Sequence, residues 1–297
     1  GQGHEVHLRP REARLTAIGL ALLSSIFWGA SDFLGGLKSR SFAVPVVLLV
    51  TYTTSLILTG IGVVLVGDPF PGGHAFYGFA AGLCGIAGLG CFYRALARGT
   101  MSIVAPISAT GVALPVIVGL VQGDEPGPMA SAGLVLAVVG VILASRESAP
   151  EDGVQPEAGR GEIIGLSLAA GLGFGAYFTF ADLASEASVS WALFLSRAIS
   201  APVLLAIVVA GVGVAAVPRT APALLPLVAV GVLDLMANTF FNIASTKGDL
   251  SGVAVAAALY PVVTVLLAAL VLHERVRGSQ AVGVIAALTG VVMIASG

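Results

Sequence analysis

Long apolar runs, separated by short stretches rich in Gly, Pro or charge, dominate this sequence. An α-helix of about 20 apolar residues is long enough to cross the hydrocarbon core of a bilayer. The spacing of the runs therefore predicts an all-α membrane protein with ten transmembrane helices. The predicted spans fall at 15–35, 43–66, 74–97, 100–122, 128–145, 162–182, 190–213, 222–246, 250–272 and 279–296.

The composition leaves no material for a soluble domain. The 297 residues are 57% hydrophobic and 10% charged, whereas soluble domains carry about 25% charged residues. A net charge of -2 provides no basic patch for nucleic acid, so DNA and RNA partners are excluded. We expect a multi-pass protein of the inner (cytoplasmic) membrane, a monomer surrounded by lipid.

Polar segments divide the chain into four parts. A polar N-terminal tail, 1–14, precedes the first five spans in 15–145, and a linker, 146–161, precedes the other five in 162–297. The linker carries four acidic residues and two prolines. Because five is an odd number, the second half must cross the bilayer in the opposite sense to the first.

The two halves also repeat each other in sequence. Two inverted five-helix repeats are typical of secondary transporters, in which the substrate binds near the midplane where the repeats meet. A shift of 146 positions relates Gly19, Trp28 and Gly29 to Gly165, Phe174 and Gly175, and a shift of 149 relates Gly82, Ala95, Gly99, Ser102, Val104 and Glu125 to Gly231, Ala244, Gly248, Ser251, Val253 and Glu274.

Each half resembles one unit of the EamA-type transporters of the drug/metabolite transporter superfamily. The resemblance rests on Trp28-Gly29 in the first span, Phe174-Gly175 in the sixth, and the acidic turns at Asp124-Glu125 and Glu274, each followed by a Gly-rich span. It implies a ten-helix exporter whose cavity is lined by spans one to four and six to nine. Bacterial relatives of this kind include amino-acid exporters.

Spans five and ten are expected to lie outside the cavity. They contain no charged or aromatic residue, but carry Gly133 and Gly140 in one span and Gly283 and Gly290 in the other. Small residues let membrane helices approach closely, so these glycines predict helix packing and no contact with substrate.

Polar side chains on span eight give the clearest candidate site. Asp234, Asn238 and Asn242 recur every four residues and so share one helix face. Polar groups are costly in lipid and usually face protein or water, although interhelical hydrogen bonding explains the two asparagines equally well. Arg94 and Arg197 are expected near the interfaces, so Asp234 is expected to be hydrated or protonated, not paired.

Aromatic residues on other spans complete the candidate cavity. Tyr93 is the repeat counterpart of Asn242, and Tyr177 is that of Ser31. Asp32 lies close to the predicted end of span one, where interfacial solvation is the simpler interpretation. The predicted cavity residues are Trp28, Ser31, Tyr93, Tyr177, Asp234, Asn238, Phe241, Asn242 and Tyr260.

Prolines interrupt spans four and nine at Pro106, Pro115 and Pro261. An internal proline removes a helix hydrogen bond and kinks the helix. We predict that these kinks act as hinges of a gate, and static kinks are the alternative.

The sequence carries no signature of an enzyme. All four histidines lie outside the spans or at their edges, so neither a Ser-His pair nor a metal site can form in the membrane interior. We expect no cofactor and no metal. The predicted function is export of a small organic metabolite by alternating access, with amino acids, including aromatic or bulky ones, as the favoured substrates and a coupling proton as a candidate partner. The alternatives are transport of another metabolite or drug in either direction, and a solute channel.

Two arguments about orientation disagree. Four basic residues lie on the side of the amino terminus and nine on the other, which by the positive-inside rule places the amino terminus outside. The family resemblance implies that both termini are cytoplasmic, and we follow it.

Overall fold

The structure is a computed structural model that describes residues 10–98, 104, 107–108, 110–144, 160–271 and 278–296. Every regular element within these ranges is helical. The helices are α1 (Pro10–Ser39), α2 (Val44–Val66), α3 (Ala75–Arg98), α4 (Ala113–Gln122), α5 (Pro128–Ala144), α6 (Arg160–Ser185), α7 (Val189–Ile207), α8 (Ala221–Ser245), α9 (Leu250–Ala257), α10 (Tyr260–Val271) and α11 (Gly278–Ser296).

Six of these helices, α1 to α3 and α6 to α8, are long and apolar enough to cross a membrane. The prediction of a multi-pass, all-α membrane protein is therefore confirmed over the described residues. The other four predicted spans coincide with shorter helices or with segments that are described only in part. For those four, the crossing of the membrane stays a prediction.

The ninth predicted span is two helices instead of one kinked helix. α9 ends at Ala257, and α10 begins at Tyr260 after a two-residue turn. Pro261 is the second residue of α10, a position in the first turn where a proline removes no helix hydrogen bond. Residues 250–262 are all buried, so this break lies inside the bundle.

The principal contacts between helices recur when the two halves are exchanged. α1 packs on α8 as α3 packs on α6, α3 packs on α7 as α2 packs on α8, and α1 packs on α10 as α4 packs on α6. The remaining large contacts, α2 with α7 and α5 with α11, join counterpart helices. This recurrence of contacts agrees with the duplication predicted from the sequence.

Glycine and serine make the same close crossing twice. A methyl group on Gly82 of α3 or on Gly231 of α8 would collide with the backbone of the facing helix, α7 or α2. Ser200 Oγ donates to the carbonyl of Gly82 at 3.0 Å, and Ser55 Oγ donates to that of Gly231 at 3.0 Å. Because these glycines have no side chain, the helices approach closely enough for each hydroxyl to reach its carbonyl.

The predicted packing role of glycine in spans five and ten is confirmed at one pair. A methyl group on Gly133 of α5 would lie 2.6 Å from the carbonyl oxygen of Gly290 of α11, and one on Gly290 would lie 2.5 Å from the nitrogen of Ala137. The two helices therefore touch backbone to backbone at this point.

The alternation of the helices gives the bundle two sides. The N-terminal side holds the start of α1 and the connections 67–74, 123–127, 186–188 and 246–249. The linker side holds the connections 40–43 and 208–220.

Candidate functional site

A small cavity lies at the centre of the bundle, among α1, α2, α3, α6, α8 and α10. It encloses about 50 Å³, space for a few water molecules. Its wall is formed by Trp28, Asp32, Tyr52, Gly85, Leu89, Phe174, Tyr177, Phe178, Asp234, Asn238 and Tyr260.

Counterpart residues of the two repeats line this cavity together. The shifts of 146 and 149 found in the sequence relate wall residues in pairs, so both halves contribute matching positions to the wall. Three of the four pairs have one member with a carboxylate or an amide, and in the fourth pair both members are aromatic. The pairs are Trp28 with Phe174, Asp32 with Phe178, Gly85 with Asp234, and Leu89 with Asn238.

Asp234 is held in a buried ion pair. Arg197 Nη2 lies 2.9 Å from Asp234 Oδ2, and the two side chains are 1% and 8% exposed. The expectations that Arg197 lies at an interface and that Asp234 has no cation were wrong. Arg197 is the ninth residue of α7, ~12 Å from the start of the helix, and its long side chain reaches the depth of Asp234.

The Arg197 guanidinium also stacks on an aromatic ring. Its central carbon lies 4.7 Å from the ring centroid of Tyr52 on α2, within the range of a cation–π interaction. Nη1 donates to Ser196 Oγ at 3.3 Å. Arg197 is thus fixed from α2, α7 and α8 together.

Asn238 continues the polar chain by one helical turn. Its Nδ2 donates to the carbonyl oxygen of Asp234, and its Oδ1 accepts a hydrogen bond from the Tyr177 hydroxyl of α6. The side chain of Asn238 therefore joins α8 to α6 at the wall of the cavity.

Asp32 is buried on the cavity wall, with 6% of the residue exposed. The expectation of an interfacial, solvated Asp32 was wrong, because α1 continues to Ser39 and so extends ~10 Å past Asp32. No described Arg, Lys or His forms an ion pair with Asp32. The Tyr93 hydroxyl is buried beside Gly35 and close enough to Asp32 to interact with it, yet makes no hydrogen bond of normal geometry.

Five of the nine predicted cavity residues line the cavity: Trp28, Tyr177, Asp234, Asn238 and Tyr260. The other four, Ser31, Tyr93, Phe241 and Asn242, are buried and do not line it.

Three of these four residues contact neighbouring helices or side chains, and Tyr93 is described above. Ser31 Oγ donates to the carbonyl oxygen of Val230 at 3.2 Å, which joins α1 to α8. The Phe241 ring packs 5.8 Å from Trp28. Asn242 Oδ1 is buried without a hydrogen-bond partner among the described residues.

Two of the predicted hinge prolines, Pro115 and Pro261, lie outside the cavity wall. Pro106 falls outside the described residues. Pro115 is a buried residue in the first turn of α4, and Pro261 follows the wall residue Tyr260 in α10.

Sequence reasoning assigned no cavity role to six wall residues. Asp32 carried a direct signal, since it lies one helical turn after Trp28 and so shares its face of α1. Phe174, Phe178, Gly85 and Leu89 are repeat counterparts of wall residues, so the pairing itself is the signal for them. Tyr52 had none.

A cluster of hydrogen bonds joins the two halves on the N-terminal side. Asp68 Oδ2 accepts hydrogen bonds from Ser188 Oγ at 2.7 Å and Ser190 Oγ at 2.9 Å, and Trp191 Nε1 donates to the carbonyl oxygen of Asp68 at 2.9 Å. The two hydroxyls hold the pKa of the Asp68 carboxyl below its ordinary value, because hydrogen bonds to a carboxylate favour its charged form. We call these four residues the latch.

Two more contacts join the halves on the same side. The backbone N–H of Ser251, at the start of α9, donates to Asp124 Oδ2 at 3.0 Å. Arg14 of α1 lies 3.3 Å from Asp249. On the linker side, an exposed ion pair of 2.6 Å joins Arg98 of α3 to Glu162 of α6.

Comparison with known proteins identifies the architecture. The model of the EamA-like transporter family matches residues 15–146 and again residues 161–296. A solved structure described as "Crystal structure of protein" superimposes with a TM-score of 0.69, at 18% sequence identity, over 93% of this chain and 95% of its own. No curated protein matches the chain in sequence. The structural likeness shows a common fold.

Proposed function

Because this chain belongs to the EamA-like transporter family, we propose that it exports a small metabolite with an amino group, an amino acid in the first instance, across the cytoplasmic membrane. The family supports membrane transport rather than enzymatic catalysis. The choice of substrate class is carried by one observation, the charge balance of the central cavity.

The cavity wall carries two carboxylates, and one fixed cation lies behind it against Asp234. Arg197 is engaged by Asp234, so its charge is already compensated. Asp32 lies on the same wall, buried and without a basic partner among the described residues. An uncompensated carboxylate at such a position costs several kcal/mol. A proton or the ammonium group of a substrate would remove this cost.

The rest of the wall fits the other part of an amino acid. Trp28, Phe174 and Tyr260 present aromatic rings on the same wall as Asp32, and such rings attract ammonium groups and pack on apolar side chains. Asn238 supplies an amide for hydrogen bonds on that wall. The composition of the wall thus supports a bulky or aromatic amino acid with Asp32 as its ammonium site.

Transport in this proposal requires the cavity to widen. Its volume of about 50 Å³ is far below the ~300 Å³ or more of pockets that hold small molecules. We therefore interpret the structure as a closed form between two open ones. In an inverted-repeat carrier, the latch would separate in one open form, and the Arg98–Glu162 pair in the other.

Several earlier expectations belong to the same proposal. The two repeats cross the membrane in opposite senses, both termini are cytoplasmic, and the chain works as a monomer. The break before α10, where Pro261 lies, acts as the hinge of α10. The start of α4, where Pro115 lies, acts as the hinge of α4, and Pro106 belongs to the same predicted span as Pro115. The site of the coupling proton is new here: because Arg197 compensates Asp234, we propose that the proton binds Asp32, instead of Asp234, when the substrate is absent.

Transport in proteoliposomes tests the proposal. The wild-type chain is expected to show saturable uptake of a radiolabelled amino acid, such as phenylalanine or leucine, and faster exchange when unlabelled substrate is present on the far side. Asp32→Asn keeps the volume and removes the charge, and should lower transport at least about tenfold, since a charge-assisted hydrogen bond is worth ~1.5–3 kcal/mol.

Asp182→Asn is the matched control, because Asp182 is a partly buried aspartate in the last turn of α6 and does not line the cavity. It should transport as the wild type does. Full transport by Asp32→Asn would remove Asp32 from the substrate site. If only metabolites without an amino group were taken up, the proposed substrate class would be wrong. A flux that does not saturate with substrate concentration would favour a channel.

A further inference from the structure

A second, larger cavity lies on the outside of the bundle, between α2, α7 and α8. Its volume is about 710 Å³, within the range of sites that hold small molecules. We call it the lateral groove. It is lined by Leu49, Val50, Thr53, Thr54, Leu56, Ile57, Ala201, Pro202, Leu205, Val214, Val217, Arg219, Leu224 and Val228.

The irregular end of α7 shapes this groove. The helix gives way to a π-helical turn at Val208–Val212, and Gly213 follows with a φ of 86°, a conformation that favours glycine. The chain then crosses to α8 through Val214 and Val217, which form one wall of the groove. The space between α2 and α8 therefore stays open on this side.

The walls of the groove face the hydrocarbon of the bilayer. α2, α7 and α8 are all apolar enough to span a membrane, and Ile57, Leu205 and Val214 of the groove are 60%, 47% and 54% exposed. A concave apolar surface at this depth is filled by lipid acyl chains, because water has no polar partners there. This setting identifies the class of occupant.

Arg219 adds a single positive charge at the mouth of the groove. It lies in the connection just before α8, on the linker side, and is exposed. It forms neither a hydrogen bond nor an ion pair with any residue in the described part of the chain. A guanidinium is well suited to bind phosphate oxygens, and basic groups beside membrane helices recognise anionic headgroups.

We propose that the lateral groove is a binding site for an anionic phospholipid, with an acyl chain against α2, α7 and α8 and the phosphate at Arg219. The site is separate from the central cavity, since the two share no wall residue. It does not depend on the identity of the transported substrate.

Lipid binding to the purified full chain in detergent, measured by native mass spectrometry, tests the site. The probes are phosphatidylglycerol and phosphatidylcholine with the same acyl chains. The wild type should bind phosphatidylglycerol more tightly. Arg219→Gln should weaken that binding about fivefold, because one basic residue near an anionic headgroup is worth ~1 kcal/mol, and should leave phosphatidylcholine binding unchanged.

Arg40→Gln is the matched control for charge, since Arg40 is also exposed on the linker side and does not line the groove. It should bind both lipids as the wild type does. If both variants lost phosphatidylglycerol binding equally, the preference would come from the overall surface charge and not from Arg219, and the proposal would be overturned.

The acyl-chain part of the site needs its own variant. Val214→Trp fills the groove from an exposed position and should weaken binding of both lipids, whereas Val64→Trp, on an 80% exposed residue of α2 outside the groove, should not. Unchanged lipid binding in Val214→Trp would contradict a seated acyl chain. Competition by water-soluble glycerol phosphate as strong as that by phosphatidylglycerol would contradict it as well.

Discussion

Arg197 lies with its guanidinium 4.7 Å from the ring centroid of Tyr52, and the two residues occupy equivalent positions in the two repeats. A shift of 145 relates them, and the same shift relates Ser55 to Ser200, whose hydroxyls make equivalent hydrogen bonds to α8 and α3. Matching positions of the two repeats therefore meet at this pair. One repeat supplies the cation and the other the ring that accepts it.

Removing the cation from this pair should destabilise the fold. Arg197→Met leaves Asp234 buried without a cation, and we expect a loss of about 3–5 kcal/mol in the free energy of unfolding. The double variant Arg197→Met/Asp234→Asn should recover most of that loss, because both charges of the pair are then absent. Unfolding in detergent measures both. A double variant as unstable as the single one would show that Arg197 stabilises the fold mainly through other contacts.

The ring of Tyr52 should matter more than its hydroxyl. Tyr52→Phe keeps the π face below Arg197 and is expected to unfold like the wild type. Tyr52→Leu removes the cation–π interaction, which at a desolvated site contributes about 2 kcal/mol. Thermal unfolding of the two variants side by side checks this. Equal destabilisation by both substitutions would assign the effect to the hydroxyl.

The general architecture was accessible from sequence because it depends on patterns that extend over many residues. The apolar runs gave the membrane class, and the repeated Gly and Trp or Phe positions gave the duplication that the family match supports. The sequence analysis missed the shift of 145 that relates α2 to α7, because the counterparts Tyr52 and Arg197 are different residue types. Their equivalence becomes visible only through their contacts.

The charges of the site were harder to predict than its aromatic residues. Trp28 and Tyr260 line the cavity, as expected for large rings in the middle of spans. Asp32 and Arg197 were assigned to interfaces because their depth was judged from the ends of apolar runs. A helix that continues past the apolar run, or a side chain as long as that of Arg, changes the depth of a charge in the bundle, and the ends of the apolar runs do not show this.

Glycine at the repeated helix crossing should be intolerant of even a methyl group. Gly82→Ala and Gly231→Ala are each expected to lower the free energy of unfolding by about 1–3 kcal/mol through overpacking. The two losses should be similar, since the two glycines are counterparts. Gly62→Ala is the control, because a methyl group on this residue of α2 meets no atom within 4 Å and should raise stability by ~0.5–1 kcal/mol. Detergent unfolding curves compare the three. Unchanged stability in both crossing variants would mean that these helices can separate without loss.

The latch should weaken in acid. The hydroxyls of Ser188 and Ser190 lower the pKa of Asp68 in the folded chain below its value of 3.8 in an unfolded one. The folded state therefore binds its proton less readily, so the stabilisation is fully present above pH ~4 and is lost as the pH falls through the lowered pKa. The double variant Ser188→Ala/Ser190→Ala removes both donors, and should be less stable than the wild type at neutral pH but equal to it once Asp68 is protonated. Thermal unfolding of both proteins between pH 7 and pH 3 measures this convergence. A stability difference that stays constant across that range would show that the serines act through packing, and that the charge of Asp68 does not hold the two halves together.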